Sequence, residues 1–460
     1  MTSRLIKRLP YAALINMATL YAGKTAGILV AFIFLPLYSR LLGPEQFGAI
    51  AVILSLQALL VMLDLGMSTL ISRDIAAGRM QPKQLLKLLR TAEATLTIFY
   101  VVLLGLVLIF IVLRGSALFS PYTILGAVIL FWLLVLQNLY YSAMLARRLY
   151  TASSIINVIG VFTRAAVTAY VIAKVSSTLT AFIVTQLALG ALHFWITRRY
   201  CSRLFKPLTI SIQSQEKLRF QDCIVLIKRG RSLALLAAAG AAVMQLDKPI
   251  ISATTSLASV APYFLATTFC TLPLSVLAGP VSQYFQPFVI NAVAQQSEIA
   301  SSRVIRRFVI TLLLVTLIPS IIVWLLRVPL IDLWLGLNAS NITIARYVGI
   351  LLPGVALGAL GFIPYSLLIS ANDFKFQSQL SCVMTVLTLG FTYLYASNQT
   401  LEGVCYVYAT YHVVSTFIPW LRTTQLTEVR LLGRQSLSLA LQGSILLILS
   451  AVAIKYFSSI

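Results

Sequence analysis

The sequence is poor in charged residues, and it is especially poor in acidic ones. Only 10% of its 460 residues are Asp, Glu, Lys or Arg, and Asp and Glu together number 12. A soluble domain carries about 25% charged residues, so the soluble enzyme classes are excluded. The hydrophobic content of 59% and the mean hydropathy of +0.93 indicate instead a membrane protein that crosses the bilayer many times.

Residue patterns that bind metals or nucleotides are also lacking. The five cysteines are scattered without a CxxC pair, and His193 and His412 stand in apolar runs without an HExxH partner. We therefore expect the cysteines to be unpaired thiols in packed regions or in loops, and both histidines to be structural. There is no Walker A sequence, so we predict neither an ATPase nor any bound cofactor. The basic start MTSRLIKRLP leads into a long apolar run without an A-x-A-like site, and we expect no cleavable signal peptide.

Long apolar runs are what the sequence has in abundance. A run of about 20 apolar residues spans the hydrocarbon core of a bilayer as a helix. The runs here lack the period-two alternation of barrel strands, so we predict an all-α protein. The thirteen runs are 12–38, 46–71, 91–113, 121–146, 152–173, 178–197, 232–256, 260–290, 308–328, 343–370, 378–397, 401–421 and 436–457.

Lys and Arg are distributed very unevenly between the loops. If the N-terminus lies in the cytoplasm, 26 of the 35 fall in inside segments, nine of them between Arg198 and Arg231, and six fall in outside segments. Cytoplasmic loops of membrane proteins carry such an excess, so we predict a cytoplasmic N-terminus. The asymmetry also explains most of the net charge of +23. We therefore predict the bilayer as a partner and no nucleic acid.

The basic segment 198–231 divides the first twelve runs into two sets of six. It is partly amphipathic and could lie on an anionic membrane surface. We predict an N-terminal six-helix lobe at 1–199, a basic cytoplasmic linker at 200–231, a C-terminal six-helix lobe at 232–422 and an extra helix at 423–460. The predicted fold is an all-α polytopic membrane protein with two pseudo-symmetric six-helix lobes around a central cavity and a thirteenth C-terminal helix.

Three cations are predicted to lie within spans: Lys24, Arg164 and Lys248. A Lys or Arg at the bilayer centre costs roughly 3 kcal/mol on insertion scales, so it usually faces a cavity or a partner. An excess of cations suits an anion, particularly a phosphate group. We predict a cationic substrate cavity that includes these three residues, with Arg40 at its mouth. The alternatives are that Lys24 snorkels to the interface and that Arg40 is a solvated turn residue.

Two aspartates accompany these cations within the predicted spans. Asp64 or Asp247 is a candidate site for a coupling H⁺ or Na⁺ ion. Asp247 is adjacent to Lys248, but neighbouring helical residues diverge by about 100°, so the two need not pair. The pair could instead lock the two lobes together, and Asp64 could be solvated at the end of its helix.

Two sets of polar residues repeat a helical spacing of i, i+7 and i+11. Asn157, Arg164 and Thr168 form the first set, and Gln57, Asp64 and Ser68 form the second. Such residues share one face of a continuous helix. We therefore expect each set to line one face.

The first hairpin, LPLYSRLLGPEQFGAIA at 35–51, resembles that of Wzx-type polysaccharide (O-antigen) flippases. LDLGMSTLISRDIA at 63–76 and QLDKPIIS at 245–252 resemble two later segments of the same family. The family belongs to the superfamily of multidrug, oligosaccharidyl-lipid and polysaccharide exporters. The resemblance implies a flippase, not an enzyme, that moves undecaprenyl-diphosphate-linked oligosaccharide units across a bacterial inner membrane by alternating access. It also implies a cationic cavity, a lipopolysaccharide pathway, and a polymerase and a chain-length regulator as partners.

Three alternatives remain open at this point. The first is an ion-coupled multidrug or organic-ion antiporter of the same superfamily, which the cation excess disfavours for cationic substrates. The second is a membrane-embedded polysaccharide polymerase or glycosyltransferase, for which only Glu45 and Asp332 offer acidic groups in outside loops. The third is a lipid II flippase, which commonly has fourteen helices.

Overall fold

The fold is built from helices over all the residues that the structure describes. The computed structural model describes residues 11–62, 64–76, 82–114, 120–147, 149–205, 220–295, 298–371 and 373–458. The helices are α1 (Tyr11–Met62), α2 (Met67–Ala76), α3 (Pro82–Arg114), α4 (Pro121–Ala146), α5 (Tyr150–Lys174), α6 (Leu179–Phe205), α7 (Phe220–Gln245), α8 (Asp247–Thr254), α9 (Leu257–Pro273), α10 (Gly279–Ala294), α11 (Glu298–Leu312), α12 (Ile318–Leu325), α13 (Arg327–Leu335), α14 (Asn341–Ala359), α15 (Phe362–Ser370), α16 (Phe374–Ser397), α17 (Leu401–Thr423) and α18 (Arg430–Ser458). Two π-helical turns, Leu274–Ala278 and Leu313–Leu317, join α9 to α10 and α11 to α12.

The protein is an all-α polytopic membrane protein, as the sequence predicts. Within the described residues, nine helical segments are long and apolar enough to cross a membrane. A helix satisfies all its backbone hydrogen bonds internally, which is why it tolerates lipid on every side. All thirteen predicted runs fall mainly on helices, but five of them are divided between successive helices: 46–71, 232–256, 260–290, 308–328 and 343–370. The predicted pseudo-symmetry and central cavity stay predictions.

The first hairpin turns at Gly43, inside α1. Gly43 has φ 73° and ψ 172°, a left-handed backbone conformation that interrupts the helix. Glycine adopts this conformation without the steric cost that a Cβ atom brings, and Pro44 then starts the next helical stretch with its fixed φ. The predicted polar turn between Arg40 and Gln46 is therefore present. Phe47, just beyond it, is completely buried.

The predicted continuous helix over 46–71 is wrong. α1 ends at Met62, and α2 starts at Met67 after a turn in which Leu65 and Gly66 have φ values of 55° and 71°. Gln57 therefore lies on a different helix from Ser68, and the second i, i+7, i+11 set does not line one face. The sequence pattern failed here because a non-glycine residue takes the left-handed conformation.

The chain forms two compact units, 1–245 and 246–460. The first includes α7, which packs against α1 and α3. An ion pair of 2.9 Å between Arg229 and Asp74 also ties α7 to α2. The predicted linker at 200–231 is occupied by the end of α6 and the start of α7, with residues 206–219 outside the described ranges. The division after Gln245 also falls later than the predicted start of the second lobe at 232, and the predicted lobe boundaries stay a prediction.

In the second unit, α18 is part of the hydrophobic core. Leu432 and Ala440 of α18 are buried with Phe308 of α11 and Trp420 of α17. The indole nitrogen of Trp420 donates a 3.0 Å hydrogen bond to the Ser436 hydroxyl. The thirteenth apolar run therefore packs within this unit, although the prediction placed it outside the six-helix plan.

Candidate functional site

Arg164 lies on α5, next to the contact between α5 and α1. The Tyr38 hydroxyl of α1 donates a 2.8 Å hydrogen bond to the carbonyl oxygen of Ala165. The Arg164 side chain is partly buried, and its Nη1 atom is buried without a hydrogen-bond partner among the described residues. A buried, unpaired donor of a cation is costly, so it marks a place where a ligand would be stabilised.

Neutral polar groups of α4, α5 and α6 surround this region of the first unit. The buried His193 ring on α6 lies within electrostatic range of Arg164, and its Nε2 is 3.2 Å from Nε2 of Gln137 on α4. His193 Nδ1 is buried without a hydrogen-bond partner in the described structure. α5 approaches the ring closely because residue 160 is glycine: a Cβ there would lie 2.2 Å from Cε1 of His193. Arg164 and His193 thus present two unpartnered nitrogens in the same unit.

The other two residues of the Asn157, Arg164 and Thr168 set make separate contacts. Asn157 donates a 2.8 Å hydrogen bond to the carbonyl oxygen of Gly23 on α1. Thr168 accepts a 3.2 Å hydrogen bond from Gln186 on α6. Both side chains therefore join helices within the unit, and among these three only Arg164 retains a buried donor without a partner.

Lys24 and Arg40 lie at opposite parts of the first stretch of α1. The backbone of Lys24 follows Gly23, which contacts α5, but the Lys24 side chain is outside the described residues. Arg40 is exposed three positions before the turn at Gly43. The roles of Lys24 and Arg40 in substrate binding stay predictions.

The Asp64 side chain caps the N-terminus of α2. Its Oδ1 accepts a 3.0 Å hydrogen bond from the Gly66 amide, and its Oδ2 accepts a 2.9 Å hydrogen bond from the Ser68 amide. The first amide groups of a helix lack partners within the helix, and the helix dipole favours a carboxylate there. The carboxylate is buried, not solvated at an interface. These contacts are those of a structural cap.

Asp247 and Lys248 pair with each other at the start of α8. Nζ of Lys248 lies 2.9 Å from Oδ2 of Asp247, which also accepts a 2.8 Å hydrogen bond from the Tyr263 hydroxyl of α9. The Lys248 ammonium lies 5.8 Å from the centre of the Tyr263 ring. The side chains of the pair are 1% and 8% exposed. Oδ1 of Asp247 is buried without a hydrogen-bond partner among the described residues.

Three residues of these clusters were not predicted from the sequence as site residues: Tyr38, Gln137 and Tyr263. The sequence signal for two of them is their polar group inside an apolar run, because a buried hydroxyl or amide needs a partner. Tyr263 had a further, weak signal, since LASVAPYFLAT follows the first helix of its lobe as LLGPEQFGAIA does and places Tyr263 opposite Phe47. Its hydroxyl is what distinguishes it, and that hydroxyl binds Asp247.

No group of three or more His, Cys, Asp or Glu residues that could hold a metal ion occurs in the described ranges. The two carboxylates considered for enzymatic chemistry belong to different units. Asp332 lies on α13 and accepts a 2.7 Å hydrogen bond from the Asn341 side chain, while Glu45 follows the turn at Gly43.

The sequence of residues 13–289 matches a protein family described as polysaccharide biosynthesis protein. No curated protein sequence matches the chain.

Solved structures with the same fold include both flippases and drug transporters. The lipid II flippase MurJ in an inward closed conformation is 11% identical and superposes with a TM-score of 0.74, covering 96% of this chain and 93% of its own. A mutant of the Vibrio cholerae MATE transporter VcmN is 14% identical, with a TM-score of 0.60 over 90% of this chain and 97% of its own. A Pyrococcus furiosus transporter of the MOP superfamily, described as having a binding pocket of reverse polarity, is 12% identical, with a TM-score of 0.64 over 92% and 95%. At these identities the likeness establishes the fold.

Proposed function

The chain belongs to the polysaccharide biosynthesis protein family, and we propose that it is a flippase for lipid-linked oligosaccharides. Its substrate would be an undecaprenyl-diphosphate-linked repeat unit of an O-antigen or a similar surface polysaccharide. The protein would move it across the bacterial inner membrane by alternating access, with the N-terminus in the cytoplasm. No covalent chemistry is required. A polymerase and a chain-length regulator would act on the product.

The observation that carries this proposal is the setting of Arg164. A guanidinium in a membrane span normally pairs with a carboxylate, yet Arg164 forms no ion pair among the described residues. Its electrostatic neighbours include the Tyr38 hydroxyl and the His193 ring, and neither of these is a carboxylate. The charge thus remains available for an anion, and a planar guanidinium matches the two oxygens of a phosphate. We propose that Arg164, together with Lys24, contacts the diphosphate or an acidic sugar, with Arg40 at the mouth of the cavity.

The Lys248 side chain, a member of the predicted cationic site, is buried and only 8% exposed. Its ammonium is already bound to Asp247, so a substrate anion would have to compete with a buried carboxylate at 2.9 Å. We keep its role in substrate binding as a proposal, and we rank it below that of Arg164.

For ion coupling, the geometry favours Asp247 over Asp64. Both oxygens of Asp64 accept backbone hydrogen bonds, whereas Oδ1 of Asp247 has no partner within the described part of the chain. A buried carboxylate oxygen without a partner is a place where H⁺ or Na⁺ would be stabilised. We therefore propose Asp247 as the residue at which a coupling ion acts, if transport is driven by an ion gradient.

The test is a transport assay in proteoliposomes that contain an undecaprenyl-diphosphate-linked oligosaccharide. Access of the glycan to an added glycosidase reports flipping. We expect Arg164→Gln to reduce the rate at least tenfold, and Arg164→Lys to restore part of it because the charge is kept without the planar fork. Thr163→Ala is the matched control, since Thr163 is the exposed neighbour of Arg164 on α5.

If the Arg164→Gln variant flips the lipid-linked glycan at the wild-type rate, Arg164 is not part of the substrate site. If the wild-type protein flips no lipid-linked glycan but expels an organic ion from the same vesicles, the antiporter alternative replaces the flippase. That alternative rests on the shared fold with MATE transporters. Extension of the glycan in the vesicles, without translocation, would support the polymerase or glycosyltransferase alternative instead.

A further inference from the structure

We infer that the outward face of α6 binds an anionic phospholipid of the bilayer. Its phosphate would contact Arg199 and Arg203, and its acyl chains would lie along the apolar residues that precede them on the helix. This lipid is distinct from the transported substrate, and the inference does not depend on the flippase proposal.

This face of α6 is exposed over its whole length, and it is apolar along its first part and basic at its end. Val184, Leu192 and Ile196 are 59%, 51% and 42% exposed, and Trp195 is 55% exposed. Arg199 and Arg203 follow, also exposed. Leu192, Ile196, Arg199 and Arg203 follow one another at spacings of three or four positions, with Trp195 beside Ile196 and Val184 eight positions before Leu192, so they form one stripe along the helix.

The opposite face of α6 packs against other helices of the first unit. Gln186, His193, Thr197 and Cys201 are buried there, and the helix packs against α4 and α5. Because these buried groups fix the rotation of the helix, the apolar stripe must point away from its neighbours in the unit.

The length of the apolar part of the stripe matches the hydrocarbon thickness of one leaflet. Val184 and Trp195 are eleven residues apart, which at 1.5 Å per residue is about 16 Å. Half of a hydrocarbon core of about 30 Å is about 15 Å. If Val184 lies near the midplane, Trp195 lies at the interface, where tryptophan is enriched, and the arginines lie at the level of the headgroups.

At this level the structure contains a pocket of about 240 Å³. It is lined by Trp195, Arg198, Arg199, Ser202 and Arg203. The Arg199 guanidinium lies 5.5 Å from the centre of the Trp195 ring, which holds the cation over the aromatic face. The pocket therefore combines donors for a phosphate with a ring that can contact the glycerol region.

Of the three arginines that line the pocket, Arg198 already forms an ion pair with a carboxylate. Nε of Arg198 lies 3.0 Å from Oε1 of Glu93, and Tyr140 donates a hydrogen bond of 2.5 Å to the other carboxylate oxygen. Arg199 and Arg203 form no ion pair within the described ranges. The pocket thus has two positive charges for a ligand, while Arg198 anchors the helix end to α3.

A bilayer phospholipid fits this stripe better than the transported lipid does. Phospholipid chains match one leaflet, as the stripe does. An undecaprenyl chain of eleven isoprene units is far longer than 16 Å, and its oligosaccharide must leave the membrane surface during transport. A site at the headgroup level on an outward helix face suits a lipid that stays in place.

The experiment measures lipid retention by the purified, delipidated protein with native mass spectrometry. The probes are phosphatidylglycerol and, as the zwitterionic reference, phosphatidylcholine. Each surface arginine is worth about 1 kcal/mol toward an anionic lipid, so Arg199→Gln/Arg203→Gln should weaken phosphatidylglycerol binding roughly 30-fold and leave phosphatidylcholine binding unchanged. The matched control is Arg306→Gln/Arg307→Gln, which removes two exposed arginines from α11.

Equal losses in both double variants, or none in either, would overturn the proposal. A third arm adds undecaprenyl diphosphate: displacement of phosphatidylglycerol by it in the wild type, but not in the Arg199/Arg203 variant, would assign the pocket to the transported lipid and also overturn the proposal.

Fluorescence supplies a second measurement, which does not depend on the arginine variants. Brominated phosphatidylglycerol should quench the wild type more than Trp195→Phe, since the lipid chains contact that ring; equal quenching would count against the site.

Discussion

Gly160 of α5 packs directly against the imidazole ring of His193 of α6. A Cβ at position 160 would lie 2.2–2.4 Å from three atoms of that ring, well inside any real contact distance. This close approach sets the distance between α5, which carries Arg164, and α6, which carries the exposed stripe. It also holds the ring within hydrogen-bond reach of Gln137.

The first prediction concerns this contact. Gly160→Ala must push the His193 ring or the helices apart, so we expect a loss of several kcal/mol of stability and a lower thermal unfolding temperature in detergent. Gly105→Ala on α3 is the control, because no atom lies within 4 Å of a Cβ there. Alanine is the better helix former by about 1 kcal/mol, so the control should unfold no earlier than the wild type. A normal unfolding temperature for Gly160→Ala would refute the close packing.

The second prediction concerns the buried pair of Asp247 and Lys248. Asp247→Asn or Lys248→Met leaves one buried charge without its partner, and we expect each single change to cost about 3–5 kcal/mol. The double variant buries no unpaired charge and should be more stable than either single variant. Thermal unfolding of the four proteins gives this comparison directly. Additive losses would mean that the two charges do not pair.

A transport measurement distinguishes the two roles considered for Asp247. If it binds a coupling ion, the double variant should be folded but insensitive to an imposed H⁺ or Na⁺ gradient. If the pair is instead a structural lock between the lobes, as the sequence also allowed, the double variant should still respond to the gradient. The gradient dependence of flipping in vesicles distinguishes the two results.

The third prediction concerns Asp64. Asp64→Ala removes acceptors from two amide groups at the start of α2, and loss of such a cap costs about 1 kcal/mol. Asp64→Asn keeps one carbonyl acceptor and should lie between the alanine variant and the wild type in unfolding temperature. We expect gradient-driven transport by the asparagine variant to stay close to normal. Loss of transport without loss of stability would restore Asp64 as an ion site.

The sequence was most informative where one local rule decides the structure. The turn of the first hairpin follows from Gly43 and Pro44, since glycine takes the left-handed conformation and proline starts a helix. The helices follow from apolar runs that are too long for strands. Arg164 was identifiable as a candidate because an arginine near the middle of an apolar run has few ways to reach water.

The sequence was least informative where an unusual backbone conformation or the placement of a side chain decides the structure. The break before α2 depends on Leu65 in a left-handed conformation, which its side chain disfavours and which no pattern indicates. The backbones of Asp247 and Lys248 diverge by about 100°, as in any helix, but the flexible lysine chain brings its ammonium back to the carboxylate. Packing of α18 into the core was hidden because 436–457 reads as one more apolar run.

The place of α18 in the second unit has a consequence for how the protein is made. Trp420 and Phe308 share a core with Leu432 and Ala440, which the ribosome adds after the helices that surround them. Until α18 has been synthesised and has packed against α11 and α17, Ser436 cannot accept the hydrogen bond of the Trp420 indole. A nascent chain that is stalled before α18 would therefore leave this part of the core of the second unit uncovered.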